Sequence, residues 1–362
     1  MICVVHNRKT KSSIAKATCL KTMAGCSRTA SATRLLPLLL LLTLPVVVQA
    51  QFTYTTNNDG TLNVSRYTGG GAVTISNSVN GLLVTSIGYD AFDGCAVTSV
   101  TIPNSVTNIG DGAFYNCSSL TNVMIGTNVA NIGDWAFGYC YILTNITVPN
   151  SVTSIGDGAF YDCYDLTSAT IPNSVTNIGY DVFYDCYNLT SVTIPNSITS
   201  IATNAFQNCS SLTNVTIPNS VTNISEHAFD DCNNLNGVYF QGNAPSFGSS
   251  VFSGDTKATV YYMPGTTGWG TTFDGLQTKL WNPLVQTKSA TFGVRTNRFS
   301  FTIIGGSNLV IVVEASTNLA NSSWTPISTN TLNTFIGTNG TSYFSDPRWT
   351  NYPGRFYRLS PP

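Results

Sequence analysis

The sequence predicts a mainly β protein, in which a solenoid of 23-residue coils is closed by capping hairpins and followed by a small C-terminal β-sandwich-like domain. Three observations carry this reading. Cys95, Cys117, Cys140, Cys163, Cys186, Cys209 and Cys232 are separated by 22 residues once and by 23 thereafter. A Phe three residues before each Cys and an Ile eight residues before it keep the same step, from Ile87 and Phe92 to Ile224 and Phe229. Beyond residue 282 the period stops and short strand-like runs separated by turn residues take over. A fixed period of this length marks stacked units that bury their apolar sides only against one another.

Composition narrows the functional classes. Of 362 residues, 42% are hydrophobic, enough for a sizeable core, but only 9% are charged, against about a quarter in ordinary domains. The first 50 residues hold seven basic and no acidic residues, which leaves residues 51–362 with 9 basic and 17 acidic groups, a net charge of −8. No basic patch able to neutralise phosphates is left, so nucleic acid is not a partner. His6 and His227, the two histidines, offer little material for His-based catalysis or metal binding.

Taken in order, residues 1–50 read as a secretory signal. Residues 35–48, LLPLLLLLTLPVVV, form a 14-residue apolar run behind Arg34 and ahead of Val48-Gln49-Ala50. The run is too short and proline-broken to span a bilayer, and its small-residue exit suits cleavage before Gln51. Translation from Met23 would give the basic region an ordinary length, and no transmembrane helix is expected in the mature chain. Residues 51–75 alternate in strand fashion around Asn-Asp-Gly and Gly69-Gly70-Gly71, as an N-terminal cap hairpin would. Residues 76–240 hold the coils; one of them, from Leu166, reads LTSATIPNSVTNIGYDVFYDCYN. Its apolar residues follow the L-x-x-L-x-L spacing of a leucine-rich repeat, with Leu, Val and Ile of a short strand pointing inward. Pro103, Pro149, Pro172, Pro195 and Pro218 close that strand, and glycines such as Gly133 and Gly156 turn the return path. Residues 241–282, where Phe252 keeps the register but no Cys follows, form a C-terminal cap, and residues 283–362 the small β domain.

The coils resemble the BspA-like leucine-rich repeats of bacterial surface proteins, with the pattern L-x-x-V-x-I-P-x-S-V-x-x-I-G-x-x-A-F-x-x-C-x-x over about residues 74–240. The resemblance implies a β-rich solenoid on a secreted or surface-attached protein, in some relatives an adhesin. The C-terminal segment, with its E-A-S-T-N-L run and closing R-F-Y-R-L, resembles modules at the ends of secreted proteins of environmental bacteria and implies no activity.

Seven cysteines in a line cannot converge on one metal and lack C-x-x-C spacing. Parallel stacking holds their Cβ atoms too far apart for disulfides, so buried free thiols are expected. His227 falls in a slot filled elsewhere by Asp90, Gly112, Trp135, Gly158, Asp181 and Asn204, which reads as a surface position without a role. Asp157 with Asp162, and Asp181 with Asp185, have the make-up of paired glycosidase carboxylates, but their recurrence at the coil period reads as turn chemistry. No catalytic residue, metal or cofactor is expected. An enzyme confined to the C-terminal domain would have neither His nor Cys there, and only Glu314 and Asp346 as acids.

Two exposed ladders remain as candidate binding faces. In the turn segment, Tyr141, Tyr164 and Tyr187 each follow a repeat Cys, with Tyr161 and Tyr184 nearby and Asp162, Asp165 and Asp185 interleaved. Neighbouring coils gather these into an aromatic, acidic patch; its plainer reading is loop packing among the tyrosines themselves. The alternative face is the outward side of the strands, where Thr101, Thr147, Thr170, Thr193 and Thr216 line up, interrupted by Met124; its plainer reading is the strand propensity of Thr. The expectation is a secreted or cell-surface, non-enzymatic binding or adhesion module for a protein or a surface glycan. A structural envelope component without a specific ligand is the alternative.

Overall fold

A computed structural model describes residues 52–286, 292–295, 298–305, 310–317, 323–332, 340–352 and 355–362. The signal-like segment lies outside them. Each coil from residue 97 to residue 258 has three sides. A strand of three to five residues, such as Asn145–Thr147, pairs in parallel and in register with its equivalents one coil away, Asn122–Met124 and Ser168–Thr170. The chain turns at the proline and returns as a two-residue strand, such as Ser154–Ile155 between Asn131–Ile132 and Asn177–Ile178. The third side is the A-F-x-x-C arc. It forms no regular strand, yet the backbone N–H of each Phe from Phe92 to Phe229 donates to the carbonyl of the residue before the next coil's Phe, as from Phe114 to Ala136 at 2.8 Å and from Phe160 to Val182 at 3.0 Å. The arc bonds run on from coil to coil, whereas both strand ladders are interrupted once, between Asn177–Ile178 and Ser200–Ile201 and between Ser191–Thr193 and Asn214–Ile217.

The core is a set of ladders. Phe92, Phe114, Phe137, Phe160, Phe183, Phe206, Phe229 and Phe252 stack with centroid separations of 4.7–5.7 Å, and none is exposed by more than 3%. The seven repeat cysteines are free thiols, and all but Cys95 are buried. Each Sγ donates to a carbonyl of the coil before, as from Cys163 to Phe137 at 3.3 Å, which fixes the thiols in line and unbridged. Burial pushes their pKa values up, that of Cys117 to about 12.

Two turn positions in the arc adopt left-handed backbone conformations in every coil. Two residues before the Phe stand Asp90, Gly112, Trp135, Gly158, Asp181, Asn204, His227 and Ser250; one before the Cys stand Gly94, Asn116, Tyr139, Asp162, Asp185, Asn208, Asp231 and Gly254. Gly, Asn and Asp accept φ near +55° cheaply, and they fill most of both columns. The glycines after Ile act otherwise than as turn residues. A Cβ on Gly133 would lie 2.7 Å from the Asp111 backbone N and one on Gly156 2.6 Å from that of Asp134, so glycine is required there by the approach of the preceding coil.

The ends differ from the sequence reading. Phe52–Thr56 pairs antiparallel with Leu62–Tyr67, as does Ser78–Val79 with Leu82–Ile87; Leu62–Tyr67 and Gly71–Thr74 already run parallel to the following coil. Residues 241–282 likewise continue the coiling, because Thr259–Tyr262 and Leu276–Leu280 extend the parallel sheet beyond Gly237–Phe240, with Thr272–Phe273 in an antiparallel hairpin with the last of these strands. Asp255 takes the cysteine slot there, 23 residues after Cys232.

The C-terminal domain has two antiparallel sheets. Arg298–Gly305 pairs with Gly340–Asp346, Gly293–Arg295 and Leu284–Val285, and Val310–Ser316 with Thr325–Thr331 and Phe356–Ser360. Phe301, Ile303, Ile311, Val313, Leu332 and Phe344 fill the space between them, and this core is continuous with Tyr239, Tyr261 and Trp281 of the solenoid.

Candidate functional site

The in-register strands place Thr147, Thr170 and Thr193 side by side, all exposed, whereas Thr101 and Thr216 are half-buried. Met124 stands in register between Thr101 and Thr147 and is exposed. The array ends at Thr216, whose hydroxyl donates to the Pro362 carbonyl. In the next two coils its register positions are Tyr239 and Tyr261, whose rings stack at 5.0 Å and are buried under the C-terminal domain. Three threonines rather than five therefore form a free array. Beside them lies a cleft of about 650 Å³ between Ser191–Pro218 of the solenoid and Val312, Thr329, Arg358 and Pro362 of the domain.

On the arc side the structure brings the predicted rings together and adds others. Tyr141, Tyr164 and Tyr187 follow one another at 5.0 and 5.1 Å. A second column runs beside them from Tyr115 through Tyr139 to Tyr161 and Tyr184, at 5.1, 5.4 and 4.7 Å. Trp135 packs on Tyr161 at 4.8 Å, and Tyr139 joins the columns through Tyr141 at 5.9 Å. Eight rings thus form one connected surface. Tyr187 is exposed and the other seven are half-buried, so each ring packs on its neighbours and still meets solvent.

The local sequence explains why the rings face outward. Cys140, Cys163 and Cys186 point into the core, and the next residue of the chain is turned away from it. Trp135 and Tyr139 depart from the turn pattern. They occupy the two left-handed columns at φ +55° and +60°, where large side chains are strained by roughly 1–2 kcal/mol. That strain is offset within the cluster, since Trp135 touches Tyr115, Tyr139 and Tyr161. The sequence signal for these two residues was their break with the Gly/Asn/Asp rule of both slots.

The three predicted carboxylates are not equivalent. Asp165 and Asp185 are half-buried and accept from the side-chain amides of Asn188 at 3.1 Å and Asn208 at 2.6 Å, respectively. Asp162 is 7% exposed, and its Oδ1 has no hydrogen-bond partner. Desolvation, reinforced by the charge of Asp185, pushes its pKa up to about 6, although the Tyr164 hydroxyl favours the ionised form. The phenols around it are raised in turn, that of Tyr164 to about 12, first by burial and then by Asp162.

The carboxylates weighed as glycosidase pairs do turn work. Asp157 accepts from the Tyr180 backbone N–H at 2.8 Å and Asp181 from the Asn204 amide at 2.8 Å, each one coil away. His227 meets only Asp230, at 3.1 Å, from a half-exposed position. Among the described residues, no group of three or more His, Cys, Asp or Glu is placed to hold a metal ion, and no helix is long and apolar enough to cross a membrane.

The model of the BspA-type leucine-rich repeat region matches in six copies, over residues 73–189 and 176–268. A leucine-rich repeat protein of T. pallidum is 31% identical, with 51% of this chain and 87% of that one aligned at a TM-score of 0.48. A leucine-rich repeat protein from Bacteroides ovatus is 28% identical over 64% of this chain and 75% of its own, with a TM-score of 0.48. A leucine-rich cell surface protein from Faecalibacterium prausnitzii is 30% identical over 58% and 75%, with a TM-score of 0.44. No curated protein matches. Because the matched residues make up more than half of the sequence, the chain belongs to the BspA-type leucine-rich repeat family.

Proposed function

We propose that this protein is a non-enzymatic binding or adhesion module, secreted or held at the cell surface, that recognises a protein or a surface glycan through the aromatic arc face of its solenoid. The observation that carries the reading is the connected surface of eight rings from Tyr115 to Tyr187, with Asp162, Asp165 and Asp185 among them. Tyr and Trp at partly exposed sites offer large apolar area together with a wet polar end, which suits recognition surfaces. The apolar run at residues 35–48 supports export, and family membership supports a place at the cell surface.

The test is binding to immobilised cell-surface glycans and matrix proteins by the protein and by a variant with Tyr141, Tyr164 and Tyr187 all changed to Ser. Loss of binding at unchanged circular dichroism is the expected result. A variant with Thr147, Thr170 and Thr193 changed to Lys serves as the comparison. If only that variant loses binding, the strand face is the recognition surface; if neither does, the solenoid is structural and its ladders are repeat architecture.

A further inference from the structure

The thirteen acidic residues between Arg66 and Lys257 are met by no Lys or Arg at all in that stretch. Every one of them, from Asp90 to Asp255, lies in or beside the A-F-x-x-C arc, and none on the strands of the other two sides. Among the described residues the ion pairs are His227–Asp230, Arg355–Asp346 and Arg358–Glu314, so the carboxylates around the rings are not neutralised by Lys or Arg. One side of the solenoid thus carries an uncompensated negative field, which concentrates cations. The ring cluster lies in that field. Aromatic faces attract ammonium and guanidinium groups through their quadrupoles, and at the centre of the cluster Asp162 holds a buried carboxylate oxygen without a partner.

We infer that the arc face takes a cationic partner, namely an extended Lys/Arg-rich polypeptide segment whose side chains lie on the rings of Tyr141, Tyr164 and Tyr187 and pair with Asp162, Asp165 and Asp185. This rests on the binding function proposed above and names the chemistry of its partner. The argument for this occupant is charge complementarity. A neutral glycan would use the rings but gain nothing from the carboxylates at long range, and an acidic glycan would be repelled. The rings from Tyr115 to Tyr187 cross four coils, three steps of about 4.8 Å, roughly the reach of four residues of extended chain at about 3.3 Å, so the strip fits a segment of polypeptide better than one small cation.

Fluorescence anisotropy of the purified protein with three labelled probes decides the matter: a ten-residue peptide alternating Arg and Gly, its Glu–Gly counterpart, and a neutral β-glucan hexasaccharide. The Arg–Gly peptide alone should bind, at least tenfold more weakly in 300 mM than in 20 mM NaCl. Changing Tyr141, Tyr164 and Tyr187 to Ser should weaken it at least tenfold, and so should Asp162→Asn together with Asp185→Asn. If the Ser variant unfolds, the same three tyrosines changed to Leu keep apolar bulk while removing the ring faces, and should show the same loss. Absence of Arg–Gly binding at low salt overturns the inference. So does binding that ignores the ring variants, since the field alone would then hold the peptide. Ring-dependent, salt-insensitive binding of the hexasaccharide overturns the cationic partner but upholds the arc as a binding face; ring-independent results with all three probes count against both.

Discussion

Asp255 supplies a sharp test of how the solenoid ends. It stands where each of seven preceding coils has a cysteine, it is 1% exposed, and neither carboxyl oxygen has a hydrogen-bond partner. Desolvation first, and then the charges of Asp230, Asp231 and Asp274, push its pKa from an ordinary 3.8 up to about 8, opposed by the Cys232 backbone dipole. Across the window between those two values the folded chain keeps a proton that the unfolded chain has lost. Unfolding therefore releases a proton, and the contribution of this group to stability is full below the lower value and is lost as the pH rises to the upper one. One proton corresponds to about 1.4 kcal/mol per pH unit, hence about 3 kcal/mol between pH 5 and pH 7. Asp255→Asn keeps the shape and removes the titration. Asp255→Cys restores the thiol, which in the other coils donates to the carbonyl 25 to 28 residues earlier. Urea titrations of the three proteins at pH 5, 6, 7 and 8 measure the effect, because groups common to all of them cancel in the differences. The advantage of either variant over the parent should grow by about 3 kcal/mol from pH 5 to pH 7. A difference that stays constant with pH would refute the reasoning and place a charged Asp255 in contact with water.

Three other outcomes follow from the packing. Phe160→Ala removes a fully buried ring stacked on Phe137 and Phe183 at 5.7 and 5.3 Å, and denaturant titration should show a loss of about 3 to 5 kcal/mol; a loss under about 1 kcal/mol would mean that the ring is dispensable to the stack. Gly156→Ala presses a methyl group against the Asp134 backbone and should cost about 1 to 3 kcal/mol as overpacking, with no loss if neighbouring coils can simply part. Thiol labelling of residues 51–362 should reach Cys95 first, and the six buried cysteines only after denaturation without reductant; fewer than seven labelled sites would show that the ladder is bridged.

The coils were legible in the sequence because each buried position recurs at a fixed step, so Ile155, Phe160 and Cys163 each repeat the same statement about the core. The arc face was legible for the same reason, since the residue after a buried Cys must turn outward, and Tyr141, Tyr164 and Tyr187 do. Trp135 and Tyr139 were visible only as exceptions, for the period says nothing about which side chain a left-handed turn presents. Gly133 and Gly156 were read as turn residues although their requirement is closeness to the preceding coil, a distance that no single coil encodes. Asp255 could be found by counting 23 residues from Cys232, but an acid in an apolar column looks like the end of the repeat until its burial is seen. Least legible was the docking of the C-terminal domain. It depends on Tyr239 and Tyr261 replacing threonine on the outer strand face, and a tyrosine there is equally compatible with solvent.

That docking bears on which face is left for a partner. A recognition surface on a solenoid gains affinity by running along many coils, and the strand face loses its last coils to Tyr239, Tyr261 and the Pro362 contact with Thr216. At its other end Met124 interrupts the threonines, so the uninterrupted array is Thr147, Thr170 and Thr193, flat and without charge. The arc face has no such cover among the described residues. Its rings are connected from Tyr115 to Tyr187, and all the acids of the repeats lie along it. Strain points the same way: Trp135 and Tyr139 hold left-handed positions that Gly, Asn or Asp would occupy at less cost, and what the chain gains there is ring surface next to Asp162. A fold stabilised only for its own sake would have kept the cheaper residues in that coil, as it does at Gly112, Asn116, Gly158 and Asp181.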